Sequence, residues 1–319
     1  MNQAKVLNFF GLLLIMFGMS FALPLFVAIF YGESLIGVFG LGMSILVLMG
    51  FLSWFFTKDN KQELSLSDGF VITVLFWIVL SVSGSIPFIL FGFGVVDSFF
   101  ESMSGITTTG ATVIAGLDDL PKSLLIYRQL LQWLGGMGLI VLAIAVMPLL
   151  GIGGGQLFKT QTPGPMSEQR LTPRITSTAR ALWSIYFVLT VLCIFAYRLA
   201  GMSYFDAVSH AFSTVSIGGF STHDLSIGFF DSLSVEIVCI TFMLLSAMSF
   251  AVHYSAIYRK QVLKYFYDPE LRFFVSLLIV ILGLVCLSLF ANDIDDPIRS
   301  GLFQTCLLYT SDAADESVS

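Results

Sequence analysis

The chemistry of this chain is concentrated in one polar run, Asp97 to Thr112 (DSFFESMSGITTTGAT), set in an otherwise strongly apolar sequence. Within it Thr107, Thr108, Thr109, Gly110 and Ala111 offer successive backbone carbonyls and threonine hydroxyls, with a glycine free to adopt conformations closed to other residues. A strand of that kind can replace the water shell of an ion. A related run, DAVSHAFSTVSIGGFS (Asp206 to Ser221), returns 109 residues later, so that Asp97 falls on Asp206 and Gly110 on Gly219. Ser216, Ile217, Gly218, Gly219 and Phe220 then occupy the places of residues 107–111. Two copies in register point to a pseudo-symmetric pore in which Thr108, Thr109, Gly110, Ile217, Gly218 and Gly219 turn carbonyls toward a central axis. Neutral dipoles suit a weakly hydrated monovalent cation better than a divalent one. The plainer alternative is a pair of helix-ending turns, because threonine and glycine are common turn residues.

The elements that must position these runs are membrane helices. Of 319 residues 56% are hydrophobic and 11% charged, and the mean hydropathy is +0.90, whereas soluble domains carry about 25% charged residues. The expected fold is an all-α polytopic membrane protein. A bilayer crossing needs about 20 apolar residues, and seven runs qualify: Val6 to Tyr31, Leu35 to Phe56, Gly69 to Phe91, Leu124 to Leu150, Ala181 to Ala200, Val235 to Tyr258 and Leu271 to Ala291. Pro24 should bend the first of them. Asp97 to Ile106 and Ser203 to Val215 reach only about 15 to 20 Å as helices. They can enter the membrane without crossing it, as re-entrant pore helices with Asp97 and Asp206 as N-terminal caps. Each pore helix would aim its partially negative C-terminus at the ion.

These runs divide the chain into two leading transmembrane helices (1–68), a first helix-pore-helix repeat (69–150), a cytoplasmic linker (151–180), a second repeat (181–259), the start of a third (260–305) and an atypical tail (306–319). In the third unit Asp295 to Thr305 reads as the beginning of another pore helix, which would place a filter near Leu307 to Thr310. No filter pattern stands there, and the acidic tail SDAADESVS (Ser311 to Ser319) is unlike the rest. The native reading is therefore expected to stop near Thr305, with the remainder foreign or out of frame.

With the N-terminus in the cytoplasm, Lys5, Lys58, Lys61, Lys159, Arg170, Arg174, Arg180, Arg259, Lys260, Lys264 and Arg272 all face inward, eleven of the 15 basic residues. The outer side takes Glu33, Asp97, Asp118, Asp119, Asp206, Asp224, Asp231, Asp293, Asp295 and Asp296, as the positive-inside rule requires. Acidic residues at the mouth would concentrate cations.

Other residues have plainer readings. Glu101 lies inside the first pore helix and His210 at the matching place in the second; an intramembrane carboxylate is a functional candidate, with a hydrogen-bonded structural role favoured over ion binding. Arg128 and Arg198 sit near outer helix ends and could pair with acids of the pore segments, but snorkelling is favoured. The glycines of QWLGGMG (Gln132 to Gly138) suit close helix packing. Gly151 to Gly155 lacks the lysine and hydroxyl residue of a phosphate loop and is read as a flexible turn. Neither His210, His223 and His253 nor Cys193, Cys239, Cys286 and Cys306 have metal or disulfide spacing. No catalytic motif is present, and no cofactor is expected beyond a transported ion.

Taken together, SGITTTGAT, QWLGGMG and STVSIGGFST resemble the membrane subunits of Trk-type potassium-uptake systems, in the Trk/Ktr/HKT superfamily. The resemblance implies potassium as the ion and a pore of four non-identical repeats in one polypeptide, each with a filter strand and central glycine, here Gly110 and Gly219. It also implies a multi-pass protein of the bacterial inner membrane, a homodimer with one pore per protomer, and gating by a cytoplasmic nucleotide-binding regulatory subunit. No nucleic-acid partner is implied. The competing class is a membrane-embedded enzyme or assembly protein whose polar loops are not a pore.

Overall fold

A computed structural model describes residues 3–58, 66–146, 175–261, 263–292 and 297–310. The linker glycines 151–155, Lys61, Lys159, Arg170, Arg174, Asp293, Asp295, Asp296 and the tail 311–319 lie outside the described residues. Among the described residues the regular structure is entirely helical.

The leading helices are α1 (Gln3–Ser20), α2 (Ala22–Tyr31) and α3 (Ile36–Thr57). The helix is interrupted at Phe21, near the expected bend, and the break places Pro24 in the first turn of α2, where a missing N–H costs nothing. Helices α1 and α3 touch through glycines. A Cβ on Gly11 would lie 2.7 Å from the Trp54 nitrogen, and one on Gly50 would lie 2.6 Å from the Gly11 carbonyl oxygen. Small residues bring backbones together in this way where lipid removes any hydrophobic drive for helix association.

The next unit contains α4 (Leu66–Gly84), α5 (Ile86–Phe91), α6 (Val95–Ile106), a 3₁₀ turn (Leu117–Asp119) and α7 (Lys122–Val146). A parallel unit follows: α8 (Ile175–Leu199), α9 (Tyr204–Ser216), a second 3₁₀ turn (Ser226–Phe230), α10 (Leu233–Ala247) and α11 (Phe250–Tyr258). The chain continues through α12 (Lys264–Tyr267), α13 (Pro269–Ala291) and α14 (Pro297–Thr310). Leu307 to Thr310 are thus helical, and no filter strand forms there.

Among the described residues five helical segments are long and apolar enough to cross a membrane: Gln3–Tyr31, Ile36–Thr57, Asp68–Phe91, Arg180–Leu199 and Pro269–Ala291. A sixth arises if Leu233–Ala247 and Val252–Tyr258 are one span, and these are bent by 94°. The remaining expected span is α7, whose 25 residues extend about 37 Å at the α-helical rise.

Two of the expected spans are interrupted along their length. Gly69 to Phe91 breaks at Ser85, where Pro87 in the first turn of α5 starts a new helix. Val235 to Tyr258 breaks at Met248 and Ser249, both in extended backbone. There the His253 ring bridges the break, with Nε2 2.8 Å from the Leu245 carbonyl and Nδ1 2.7 Å from the Tyr265 hydroxyl.

Two buried clusters hold the protein together. One joins the leading helices to α4–α7 through Phe17, Phe21, Phe39, Phe88 and Tyr127. The other joins α7 to α8–α10 and α14 through Met137, Tyr186, Cys193, Tyr197 and Cys306. Helix α7 belongs to both, and Glu33 from the α2–α3 turn caps its start by accepting from the Lys122 and Ser123 amides at 2.7 and 3.1 Å.

Candidate functional site

Helices α6 and α9 are the two short segments, of 12 and 13 residues. Their starts correct the capping assignment. The N-caps are Gly94 and Ser203, while Asp97 and Asp206 lie in the first turns. The Ser203 hydroxyl accepts from the Asp206 amide at 3.1 Å and donates to the Asp206 carboxylate at 2.6 Å. The carboxylates still sit where the helix macrodipole favours negative charge.

At their C-termini the two helices close identically. The Thr108 amide donates to Gly105 at 3.0 Å and the Thr109 amide to Ser104 at 2.9 Å; the Ile217 amide donates to Thr214 at 3.1 Å and the Gly218 amide to Ser213 at 2.9 Å. This is the paired Schellman closure of a helix end. The residue that turns left-handed is Thr108 (φ 58°) in one copy and Ile217 (φ 56°) in the other. A β-branched residue at such an angle costs about 1–3 kcal/mol and persists only where its surroundings over-determine it. Two residues on, Gly110 (φ 86°) and Gly219 (φ 85°) turn left-handed again. The alternative of a helix-ending turn therefore describes Thr108 and Ile217 alone; the glycines serve the strand that follows.

Side chains repeat the match. The Thr107 hydroxyl donates to Met103 and the Ser216 hydroxyl to Phe212, each at 2.8 Å. Beyond each strand, Thr112 donates to Glu101 at 2.9 and 3.0 Å, and at the matching places Ser221 Oγ lies 3.0 Å from His210 Nε2. A side chain in the middle of each pore helix thus ties down the exit of its own strand. Glu101 is hydrogen-bonded and fully buried, as its structural reading expected.

Helix α7 stands behind both strands. Arg128 is fully buried and bridges the two units, which corrects its expected snorkelling. Its Nε and Nη2 each lie 2.6 Å from Glu101 Oε1, its Nη1 donates to the Ser221 carbonyl at 3.0 Å, and its guanidinium lies 4.3 Å from the Phe220 ring centre. Arg198, by contrast, is exposed and lies over Tyr204 at 4.5 Å, in keeping with the plainer reading. One turn after Arg128, the Gln132 amide group donates to the Gly218 carbonyl at 2.6 Å and accepts from the Phe220 amide at 3.1 Å. Gly135 lies against the end of α6, where a Cβ would come within 2.7 Å of the Ile106 carbonyl carbon. Gly136 lies against the end of α9, where a Cβ would come within 3.1 Å of Ser216 Cβ. The glycines of QWLGGMG are packing residues, as expected.

Beyond the strands the loops of the two units interlock. Asp224 accepts from the Gly116 and Leu117 amides, both at 3.0 Å, and His223 bonds to Asp118. The His223 bond, ahead of smaller contributions, holds the Asp118 carboxyl below its ordinary range. Among the described residues no group of three or more His, Cys, Asp or Glu could hold a metal ion.

Sequence reasoning did not single out Gln132, and it weighed a pairing of Arg128 with a pore-segment acid only to favour snorkelling. The signal was present: Arg128, Gln129 and Gln132 stand within one apolar span, and intramembrane polar residues call for a partner.

This arrangement defines a multi-pass α-helical membrane protein built on two in-register units of pore helix and strand. The chain belongs to the TrkH family of cation transport proteins, whose family model matches residues 36–299. It is 47% identical over 291 residues to the Trk system potassium uptake protein TrkH of Halomonas elongata, covering 90% of this chain and 60% of the relative. To TrkH of Vibrio parahaemolyticus it is 46% identical over 321 residues, covering 98% and 66%. The crystal structure of the Vibrio parahaemolyticus potassium transporter TrkH superposes with a TM-score of 0.85 at 43% identity, covering 97% of this chain and 64% of that one. The chain spans about three fifths to two thirds of the length of these relatives.

Proposed function

We propose that this chain forms part of a potassium pathway across the bacterial inner membrane, with residues 107–111 and 216–220 as two of its ion-binding strands. The observation that carries this reading is the matched backbone of the two strands, left-handed at Thr108 and Ile217 and again at Gly110 and Gly219. Left-handed residues recurring along such a strand bring backbone carbonyls to the ion's side, and carbonyls are what a filter uses to replace an ion's hydration shell. The relatives that share this sequence are named for potassium uptake. Transport rather than catalysis is the activity in this reading, and the potassium ion is its cargo, with no cofactor.

The division into leading helices (1–68), two helix-pore-helix repeats (69–150 and 181–259) and the start of a third (260–305) accords with the order of elements. Arg299 on α14 reaches back to the second unit, donating to Glu236 at 2.6 Å and to Asp231 at 3.1 Å. The N-terminus is placed in the cytoplasm by the distribution of basic residues. Homodimer formation and gating by a cytoplasmic nucleotide-binding regulatory subunit follow from the resemblance to Trk-type systems.

The test is cation flux through the full-length protein reconstituted in liposomes, comparing potassium with sodium. Potassium flux is expected, and Gly110→Ser should lower it or its preference over sodium, because a left-handed backbone disfavours any residue with a Cβ. Absence of cation flux from the unaltered protein would sink the proposal.

A further inference from the structure

We propose that Gln132 is a positioning residue that draws the Gly218 carbonyl out of the ion's coordination shell, leaving Ile217 and Gly219 as the carbonyl ligands of the second strand; this rests on the potassium-pathway reading above. The two strands are alike in backbone, so a difference in what supports them is informative. In the second strand the Gln132 amide donates to the carbonyl of Gly218 at 2.6 Å and accepts from the amide of Phe220 at 3.1 Å. Bonding the C=O of one residue and the N–H of the residue two further on is what a neighbouring β-strand does. The side chain of Gln132 therefore stands in for an edge strand and fixes the register of residues 218–220. Gln132 is fully buried, so no water competes for either bond.

The fit explains a sequence difference between the copies. Thr109 and Gly218 occupy the same place, and Gly218 has no left-handed φ that would call for glycine. What calls for it is space, since a Cβ there would lie 2.6 Å from Gln132 Oε1 and 2.7 Å from its Nε2. Among the described residues no side chain donates to the Thr109 carbonyl. Arg128, one turn earlier on the same face of α7, extends the staple by donating to the Ser221 carbonyl at 3.0 Å. A carbonyl aimed at a helix behind the strand, with a short amide bond on its oxygen, presents little negative potential to an ion in front of it. The first strand thus offers three successive carbonyls, and the second offers two flanking one that is held back.

Gln132→Met keeps the length of the side chain and removes both bonds. In full-length protein reconstituted in liposomes, the ratio of potassium to sodium flux and the apparent potassium affinity are compared with those of unaltered protein. The ratio should fall roughly 2- to 10-fold, the scale of one hydrogen bond's net contribution, because a released strand can contract around the smaller ion. A part confined to folding would change the yield of folded protein and leave the ratio alone. If Gln132→Met does not give folded protein, Gln132→Glu, of nearly the same shape, carries the same measurement. A folded, conducting variant with unchanged ratio and unchanged affinity overturns the role of Gln132 alone. An unaltered protein that conducts no cation overturns the pathway reading itself, so the two failures are distinguishable.

Discussion

Glu101 and Arg128 set the terms at the scale of single residues. Both side chains are wholly removed from solvent, and each satisfies the other together with Thr112. Removing one partner strands a charge in the interior, a loss of about 3–5 kcal/mol for buried pairs in general, whereas removing both with apolar residues of similar size is far milder. Glu101→Gln and Arg128→Met should therefore each destabilise the protein strongly, and the double variant should be more stable than the sum of the two losses. Thermal unfolding of the purified variants, combined as a double-mutant cycle, measures this; strict additivity would show that the two groups are not coupled. The second unit shows what the position requires. His210 stands in place of Glu101 and still bonds the residue after the strand, so the shared element is the tether and not the charge. Glu101 was legible as a structural carboxylate from its place in an apolar helix. For Arg128 the sequence offered pairing with a pore-segment acid beside snorkelling and could not choose, because its partners lie 27 and 93 residues away in the chain and periodicity carries no information about them.

Among the elements, α7 has the largest part, because the ends of both pore helices rest on it. Gly135 meets the last carbonyl of α6, which is backbone and cannot rotate away. Gly135→Ala should then displace α6 and its strand, with the loss of about 1–3 kcal/mol that overpacking brings. At Gly37, in the first turn of α3, nothing lies within 4 Å of an added Cβ. Gly37→Ala should be neutral or stabilise by up to about 1 kcal/mol, since alanine loses less backbone freedom in a helix. Melting temperatures of the two variants check the contrast, and similar values for both would mean that the α7–α6 approach is not tight. Helix lengths and the re-entrant segments could be read from the sequence because bilayer thickness sets one and insufficient length betrays the other. Helix breaks could be read only where proline marks them, as Pro24 did; Pro87 marked one that was passed over. The 94° bend near Met248 has no such mark. It depends on a histidine strut between segments that hydropathy sees as one continuous run.

For the molecule as a whole, the decisive quantity is the side of the membrane on which each loop lies. The interlocked turns that carry Asp118, Asp119 and Asp224 belong to the end of the protein where the strands leave the pore helices. Arg259, Lys260 and Lys264 cluster at the opposite end of the second unit, after α11. Moving a lysine or arginine to the outer face opposes the charge bias that sets topology, so the acidic turns should be outside and the basic cluster inside. Cysteine labelling can read this directly. Cys193, Cys239 and Cys306 are buried and Cys286 is only partly accessible, so the native thiols give little background. Asp119 and Arg259 are both exposed, and substitution there leaves the site undisturbed. In intact cells a membrane-impermeant maleimide should label Asp119→Cys and spare Arg259→Cys until the membrane is permeabilised. The reverse pattern would invert the protein in the bilayer and turn its acidic mouth toward the cytoplasm. Any reading of the acidic turns as a cation-concentrating entrance for uptake would then fall, while the strands themselves, which carry no charge of either sign, would remain as they are.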